Sequence, residues 1–366
     1  MLDEILQYLE GNIDLEHIDK TKQCLSKVMN YQKTDYFPVK VGYPNNRFIP
    51  YPYPEAFADM EKMMCNELIA TIGGIELKDA TVPMIRANYG VGTLPSLFGL
   101  HCRLINNDLP WVDHLSSTDK VKELIDRGVP DLRDGLGARV LETHEYYRMV
   151  LERYPKCKKG IPVYHTDLQG PFDVAHLIWG SDIYYALYDY QDVVHELMNL
   201  VTETYIVFMK QLKKTINDEW EDCNYHWGTI YKGSVVVRND STVNLSKDMY
   251  EEFVRPYDER ILKKFGGGSI HYCGRADQWV FNMMECEGLG ALNFGQPPNM
   301  IFGFDFLDKI FGKAKEKKIP IISYIMKKGL IEDILSSGYT TGVTFSIGAD
   351  NRAEAQKILK MCNGYI

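Results

Sequence analysis

The chain has 366 residues, of which 45% are hydrophobic and 12% aromatic, so it can bury a large core. Its formal net charge is −9, and it has no basic cluster with interleaved aromatic residues, which argues against nucleic acid as a partner. No stretch approaches the roughly 18 consecutive apolar residues of a transmembrane helix, so we expect no membrane partner.

The amino-terminal residues 1–20 are acidic and amphipathic, whereas a signal peptide has a basic start and a continuous apolar stretch. The eight cysteines are scattered, and most lie in predicted helices or strands, which is not the pattern of a disulfide framework. We therefore expect a cytoplasmic protein with reduced cysteines.

The predicted elements begin with two helices in residues 2–30, where Leu, Ile and Met recur at helical spacing. Residues 36–43 predict a strand, and residues 55–74 predict a helix that ends at Gly73 and Gly74. Further strands are predicted at 81–90, 161–170, 233–240, 269–274, 289–295, 319–325 and 341–348. Further helices are predicted at 139–154, 174–215, 247–264, 275–286, 302–317, 328–337 and 352–362.

The alternation of strands with helices indicates parallel βαβ units, and eight such units favour a closed (β/α)8 TIM barrel. A doubly wound open sheet is the alternative, although no glycine-rich dinucleotide loop joins a strand to a helix. We expect residues 1–33 to form a helical extension outside a barrel of residues 34–366. Because barrel chemistry lies at the carboxyl ends of the strands, the residues that end each strand are the site candidates.

The strongest candidate is the segment Ser-Ile-His-Tyr-Cys-Gly at 269–274. His271 and Cys273 are two residues apart on a strand, so their side chains share a face. Imidazole and thiolate suit zinc, and Gly274 allows a sharp exit from the strand. The alternative is a buried histidine and a small apolar cysteine that fill the barrel. Cys286 would lie about 20 Å along the following helix, so we expect it to be structural.

Two other strand ends carry polar residues. His165 and Asp167 share a face and are followed by Gln169. Arg238 begins the polar run Arg-Asn-Asp-Ser, in which Asp240 can accept a proton, bind a cation or ligate a metal. The alternatives are a hydrogen-bonded interior pair at the first strand end and stabilisation of a loop or helix cap at the second.

Asn88 follows the second predicted strand, where it can exchange hydrogen bonds but cannot titrate. Tyr89 and Tyr324 belong to a set of aromatic residues near strand ends or in neighbouring loops, which indicates an apolar pocket. The set is Tyr43, Tyr89, Tyr225, Trp227, Tyr231, Tyr272 and Tyr324. Aromatic residues are common in any core, which is the alternative.

Four segments together resemble the uroporphyrinogen decarboxylase superfamily, which includes the corrinoid methyltransferases of methylotrophs and acetogens. They are VPMIRANYGVGTLPSLFG (82–99), TDLQGPFDVAHLIWG (166–180), NDSTVNLSKDMYEEFVRPY (239–257) and SIHYCG (269–274), in the order found in that family. The likeness covers roughly residues 34–360 and implies a (β/α)8 barrel.

Two chemistries occur in that superfamily. Its decarboxylases act on a tetrapyrrole carboxylate without metal or cofactor, using an arginine-rich loop after the first strand and an aspartate at the end of the second. This chain offers only Arg47 in that loop and has Asn88 near the expected aspartate. Both departures count against the porphyrin reaction.

The methyltransferase branch holds zinc with a His-x-Cys pair and a third cysteine after the last strand. His271 and Cys273 match the pair, whereas Ser346 stands where the third ligand is expected. The resemblance therefore implies either a substitute carboxylate, with Asp240 and Asp167 as the leading candidates, or a branch without zinc.

The resulting prediction is a methyltransferase that moves a methyl group between a small methylated or methoxylated compound and a corrinoid, assisted by zinc if a substitute ligand completes the metal site. The chain has no Asp-x-His-x-x-Gly corrin-ligating motif, so we expect a separate corrinoid protein as partner. The alternatives are a decarboxylase of the superfamily type and a non-catalytic ligand-binding barrel. The predicted roles are catalysis for Asp240, Asp167 and Asn88, substrate binding for Tyr89, Arg238, His165, Gln169 and Tyr324, and metal ligation for His271 and Cys273.

Overall fold

The computed structural model describes residues 1–105, 107, 110–297, 300, 302–327 and 330–363. The helices are α1 (Leu2–Asn12), α2 (Leu15–Met29), α3 (Tyr53–Ala58), α4 (Met60–Leu77), α5 (Thr93–Leu97), α6 (Thr118–Asp126), α7 (Gly137–Leu151), α8 (Pro155–Gly160), α9 (Pro171–Trp179), α10 (Ile183–Asp189), α11 (Gln191–Leu212), α12 (Lys247–Phe253), α13 (Arg255–Lys264), α14 (Val280–Met283), α15 (Phe304–Lys317), α16 (Ile331–Ser336) and α17 (Arg352–Asn363). Within the described residues, none of these helices combines the length and apolar character needed to cross a membrane.

The strands are β1 (Val39–Gly42), β2 (Ile85–Arg86), β3 (Cys102–Arg103), β4 (Trp111–Val112), β5 (Val163–Tyr164), β6 (Glu219–Trp220), β7 (Cys223–His226), β8 (Thr229–Lys232), β9 (Val235–Arg238), β10 (Gly268–Cys273), β11 (Leu289–Gly295), β12 (Ile321–Ile325) and β13 (Val343–Gly348). Each of the eight strands predicted from the sequence is confirmed, with shorter bounds for most. The predicted α/β class with parallel strands is therefore confirmed.

The principal sheet is parallel and has the strand order β1-β13-β12-β11-β10-β9. β2 and β5 form a second parallel pair, and a parallel bridge between Gln169 and Arg238 connects the segment after β5 to β9. No ladder joins β1 to β2 in the described residues. Closure of the barrel therefore stays a prediction.

Side-chain alternation along β10 determines which residues face the site. Ile270 and Tyr272 are fully buried on one face, where Tyr272 packs edge-on against Trp279 at 5.2 Å between ring centroids. Ser269, His271 and Cys273 lie on the opposite face. Gly274 then takes a φ of 111°, which confirms that a glycine is required where the chain leaves the strand.

An antiparallel meander of β6, β7 and β8 precedes β9 and was not predicted. Its tip is the two-residue turn Trp227-Gly228, with φ of 45° and 74°, the backbone signs of a type I′ hairpin turn. The Val82 amide donates to the Gly228 carbonyl at 2.9 Å, and Lys40 Nζ donates to the Trp227 carbonyl at 2.7 Å. The tip thus fills the seam between β1 and the segment leading into β2.

Several predicted helices are divided or shortened. The prediction at 174–215 was wrong in its continuity, because α9, α10 and α11 replace one helix and Gly180 adopts a φ of 87° between the first two. The prediction at 247–264 is two helices, α12 and α13, with the break at Val254 shortly before Pro256, a residue without an amide N–H. The prediction at 275–286 reduces to α14, since Gln278 and Trp279 instead donate to carbonyls of the loop after β9.

The helix predicted at 55–74 is also two helices, α3 and α4, and it does not end at the paired glycines. Asp59 caps α4 by accepting from two backbone amides, and the helix continues to Leu77. Gly74 instead permits close packing, because an added Cβ would lie 2.5 Å from the Cβ of Thr81. The last three predicted helices correspond to α15, α16 and α17, although residues 328 and 329 lie outside the described residues.

The two amino-terminal helices are confirmed and cover the amino ends of strands. α1 packs on α4 and α8, whereas α2 packs on β8 and β13. The Gly342 amide, directly before β13, donates to the Val28 carbonyl at 2.7 Å. This leaves the carboxyl strand ends as the place for a site.

Candidate metal centre and its surroundings

Asp240, His271 and Cys273 converge at the carboxyl ends of β9 and β10. One potential ligand atom from each lies within 4.8 Å of the others. His271 Nε2 is 3.3 Å from Asp240 Oδ1 and 3.3 Å from Cys273 Sγ. Within the described residues, no other group of three or more His, Cys, Asp or Glu side chains has the spacing of a metal site.

Asn293, on the neighbouring strand β11, fixes the orientation of the imidazole. Its Nδ2 donates to the Ile322 carbonyl at 2.5 Å, so its Oδ1 faces His271 Nδ1, also at 2.5 Å. A carbonyl oxygen can only accept, so Nδ1 of His271 must carry the proton. Nε2 therefore faces Asp240 and Cys273, and its lone pair becomes available to a cation when the ring is neutral. A metal-binding histidine usually donates from its other ring nitrogen in this way.

Asp173 fixes the backbone that carries Asp240. Its carboxylate, in the first turn of α9, accepts from the amides of Asp240 at 2.7 Å and Ser241 at 2.8 Å. Burial, reinforced by the charge of Asp240, raises the pKa of Asp173 well above its usual range. Asp258 supports the same loop by accepting from Asn239 Nδ2 at 2.5 Å.

The electrostatics of the cluster differ between its members. Burial raises the pKa of the Cys273 thiol to about 12, and the neighbouring Asp240 charge adds to this. Burial also opposes ionisation of Asp240, but His271 and Arg238 outweigh it and lower the pKa of that carboxyl. Without a cation the thiol therefore keeps its proton at neutral pH, and a bound metal would displace it.

Asp167, the other predicted carboxylate, is occupied elsewhere. Its Oδ1 pairs with both Arg86 of β2 and Arg238 of β9, and its side chain is only 8% exposed. The structure therefore brings Asp240, and not Asp167, to His271 and Cys273. Asp167 instead joins the β2 side of the molecule to the β9 side.

Trp227 packs between these two groups. The Arg238 guanidinium lies 4.1 Å above its ring centroid, and the His271 ring meets it edge-on at 4.8 Å. The positively charged guanidinium on the face of an indole is a favourable cation–π contact. The hairpin tip therefore contributes directly to the surroundings of the cluster.

His165 lies deeper, beside His226, with 4.6 Å between the ring centroids. Burial lowers the pKa of His165 to about 3 and that of His226 well below its usual range, so both rings are neutral. Gln169 is buried next to β9, where the adjacent Gly170 amide donates to the Arg238 carbonyl at 2.6 Å. These residues surround the arginine–aspartate group rather than the cluster.

The remaining predicted site residues are dispersed. Asn88 Nδ2 donates to Glu67 Oε1 at 3.1 Å, on the β2 side. Tyr89 is fully buried and bonds Thr143 at 2.8 Å, and Tyr324 is buried against Phe294 and other rings of the sheet face. The structure brings neither tyrosine to the cluster.

Two excluded candidates are also placed. Cys286 is buried with its Sγ 3.4 Å from the Tyr250 hydroxyl, so it lies apart from the cluster, although α14 is too short for the helix-length argument. Ser346, on β13, donates from its Oγ to the Ser323 carbonyl of β12 at 3.4 Å. Asn293 and Glu67 were not predicted as site residues. Asn293 lies near the end of a predicted strand, which is a signal in the sequence, whereas the helix that carries Glu67 gives no such signal.

Fold and site together define an α/β protein of parallel strands with a polar cluster at the strand carboxyl ends. No protein-family model matches the chain, and no curated protein sequence matches it. Among solved structures, the chain is similar to a methyltransferase from Methanosarcina mazei, with a TM-score of 0.63 and 16% sequence identity. The match covers 94% of this chain and 98% of that chain. At this identity the likeness concerns the fold.

Proposed function

We propose that the chain is a (β/α)8-barrel methyltransferase that transfers a methyl group between a small methylated compound and a corrinoid held by a separate protein. The observation that carries this proposal is the convergence of Asp240, His271 and Cys273 at the strand ends. The fold shared with a methyltransferase structure and the sequence resemblance support it. In this proposal the hairpin tip fills the β1–β2 seam of the barrel.

The three side chains fit zinc. Ligands held at about 2.0–2.3 Å by one tetrahedral ion lie roughly 3.3–3.7 Å from one another, close to the 3.3 Å separations found here. Asp240 Oδ1 is enclosed and lies 3.3 Å from His271 Nε2, so the two atoms could bind one cation from adjacent positions. Three protein ligands leave a fourth position open, which is typical of catalytic rather than structural zinc.

Zinc, when bound, would supply a Lewis acid that lowers the pKa of a substrate thiol or polarises an ether oxygen. The residues of the chain supply the rest. Asn293 holds the imidazole, and Asp173 holds the backbone of Asp240. In the transfer the carbon–heteroatom bond would break with its electron pair left on the heteroatom, which takes up a proton. The reduced cobalt of the partner's corrinoid would supply the electron pair of the new carbon–cobalt bond.

Zinc titration by calorimetry tests the metal centre. We expect the wild type to bind zinc, His271→Ala and Cys273→Ala to lose that binding, and Asp240→Asn to weaken it. Cys102→Ala is the matched control, because this half-buried cysteine lies outside the cluster and should bind zinc like the wild type. If all variants bind equally, or none binds, the pair is structural.

Methyl transfer is tested separately with cob(I)alamin as acceptor and methoxylated or methylated compounds as donors, followed by visible spectroscopy. Formation of methylcobalamin that is lost in Cys273→Ala supports the proposal. The purified chain should carry no cobalt and should not form coproporphyrinogen from uroporphyrinogen. Ordinary enzymatic turnover of uroporphyrinogen would instead favour the decarboxylase.

A further inference from the structure

A cavity of about 530 Å³ opens beside the seam between β1 and β2. It is bounded by the end of β1, by α4, by the segment leading into β2 and by the hairpin tip. Trp227 lines this cavity and also contacts His271, whereas none of the three cluster residues lines it. The volume is within the usual range of small-molecule sites.

Lys40 places an ammonium group at the cavity, and not all of its N–H donors have a partner in the described residues. Its ammonium group has three N–H donors, and within the described residues one hydrogen bond is formed, to the Trp227 carbonyl at 2.7 Å. Two donors therefore remain for a ligand. A lysine held in place by a backbone carbonyl is already oriented, which reduces the entropy cost of binding.

Arg86 brings a second cation. It lines the cavity, its side chain is 14% exposed, and its Nη1 pairs with Asp167. Its enclosed Nε has no hydrogen-bond partner in the part of the chain that the structure describes. Because Asp167 also neutralises Arg238, one carboxylate serves two guanidinium groups.

Glu67 is the one carboxylate among the described residues that line the cavity. It accepts from Asn88 Nδ2 at 3.1 Å and from the Arg86 amide at 3.2 Å, and burial raises its pKa. The Asp79 carboxylate accepts hydrogen bonds from the amides of Val41 and Thr81, and its charge favours the charged form of Lys40. Burial lowers the pKa of Lys40, and the Asp79 charge opposes this. Lys40 and Arg86 therefore present N–H donors that are unused within the described residues to the cavity, beside a carboxyl group, Glu67, whose ionisation burial disfavours.

Aromatic and apolar side chains complete the lining. Trp227, Tyr43 and Tyr164 present rings, and Val82, Pro83 and Met84 present apolar surface. Two cations beside such surface suit an anion carried on an apolar or aromatic body. A carboxylate fits better than a phosphate dianion, because Glu67 would repel the larger charge.

We propose that the β1–β2 cavity binds a carboxylate-bearing small molecule, with its anionic group at Lys40 and Arg86 and its apolar body against Trp227 and Tyr43. This inference rests on the proposed function in one respect, namely that the bound molecule is the methylated substrate. Binding itself does not depend on methyl transfer.

The test is calorimetric titration of the whole chain with benzoate, cyclohexanecarboxylate and 4-methoxybenzoate, each beside its uncharged amide. On the wild type, we expect the carboxylates to bind roughly tenfold to a hundredfold more tightly than the amides. Lys40→Met and Arg86→Gln should each lose most of this difference. Lys20→Met is the matched control, since this exposed lysine pairs with Glu16 away from the cavity.

The comparison of acid with amide on the wild type needs no variant, so misfolding of a variant cannot obscure the result. Equal binding of acid and amide, or no binding by any of the three acids, overturns the inference. Charge-dependent binding without methyl transfer leaves the cavity assigned and overturns the proposed function. Methyl transfer without charge-dependent binding supports the proposed function and overturns the assignment of the cavity.

Discussion

The carboxyl ends of β9, β10 and β11 and the seam between β1 and β2 are built differently. The first region is a continuous parallel ladder in which His271 pairs with Arg238 on one side and Asn293 on the other. The second has no ladder in the described residues, and a hairpin tip occupies it.

The difference shows how each region obtains its polar groups. In the ladder, strand alternation places His271 and Cys273 on one face, and hydrogen bonds from neighbouring elements orient them. At the seam, the missing ladder leaves space, and charged side chains from separate elements enclose it. Lys40, Glu67 and Arg86 come from β1, α4 and β2. Strand register determines where the polar side chains lie in the first region, and packing between separate elements determines it in the second.

Removal of the Asp167 side chain should cause the largest loss in the free energy of unfolding, because Asp167 joins the two regions. Asp167→Ala leaves Arg86 and Arg238 without their shared carboxylate, and an unpaired buried charge costs about 3–5 kcal/mol. Urea unfolding should show a loss of this size. Asp113→Ala is the control, because Asp113 pairs with Arg103 at the surface and should change the free energy of unfolding by about 0–1 kcal/mol. Equal losses would contradict a joining role.

The next effect concerns Asp258, which supports the loop of the ladder region. Burial raises its pKa to about 8 in the folded chain, against about 3.9 when unfolded. The folded state thus holds a proton that the unfolded state has released, and stability from this group is present below about pH 4 and falls as pH rises to about 8. Asp258→Asn cannot ionise, so between pH 5 and pH 8 it should gain on the order of 3 kcal/mol relative to the wild type.

Urea unfolding of both proteins at several pH values measures this difference. Far-ultraviolet circular dichroism at pH 5 serves as the check that Asp258→Asn retains the fold. Parallel pH profiles for the two proteins would show that Asp258 titrates normally and that its burial has no linkage to stability.

Asn293→Ala, in the ladder region, should lower zinc affinity, whereas a comparable substitution at the seam should not. Loss of an outer-shell partner of a metal-binding histidine typically lowers metal affinity about 10- to 100-fold, and the His271 ring would lose its oriented Nε2. Asn45→Ala, at the seam, removes a 3.2 Å hydrogen bond to Glu76 and should leave zinc affinity unchanged. If the two variants titrate alike with zinc, Asn293 does not position the ring.

A pair of glycine substitutions gives the smallest expected effect. Gly228→Ala places a side chain at a φ of 74°, which costs about 1–2 kcal/mol, while its nearest new contact is an ordinary 3.6 Å. Gly312→Ala, inside α15 with no atom near the added Cβ, should stabilise by about 0.5–1 kcal/mol. Thermal unfolding of both variants measures the opposite signs. A stabilised Gly228→Ala would show that the tip is not held in its turn.

The sequence predicted the ladder region well because its signals are periodic. Strand alternation was enough to place His271 beside Cys273, and a polar strand end was enough to suggest Asp240. The orientation of Asn293 depends on a carbonyl of β12, which no local pattern reports.

The seam was not predictable in the same way. Its turn is Trp227-Gly228, whereas Asn-Gly or Asp-Gly is the usual sequence signal of a type I′ hairpin. The strands on either side of the turn, β7 and β8, were therefore not predicted. Glu67 lies on a helix whose exposed and buried faces differ little in sequence. Lys40 acquires its role only from the Trp227 carbonyl, which is distant in the chain.

The pairing of β1 with β13 has a consequence for how the chain folds. Val39 lies opposite Phe345, so β1 acquires its ladder partner only after β13, far along the chain, has been made. The tip that fills the other side of β1 also becomes available late, after Gly228. Contacts so distant in sequence slow folding, because a long loop must close before they form. The nascent β1 is therefore the element most exposed to wrong pairing, and its four-residue length limits that risk.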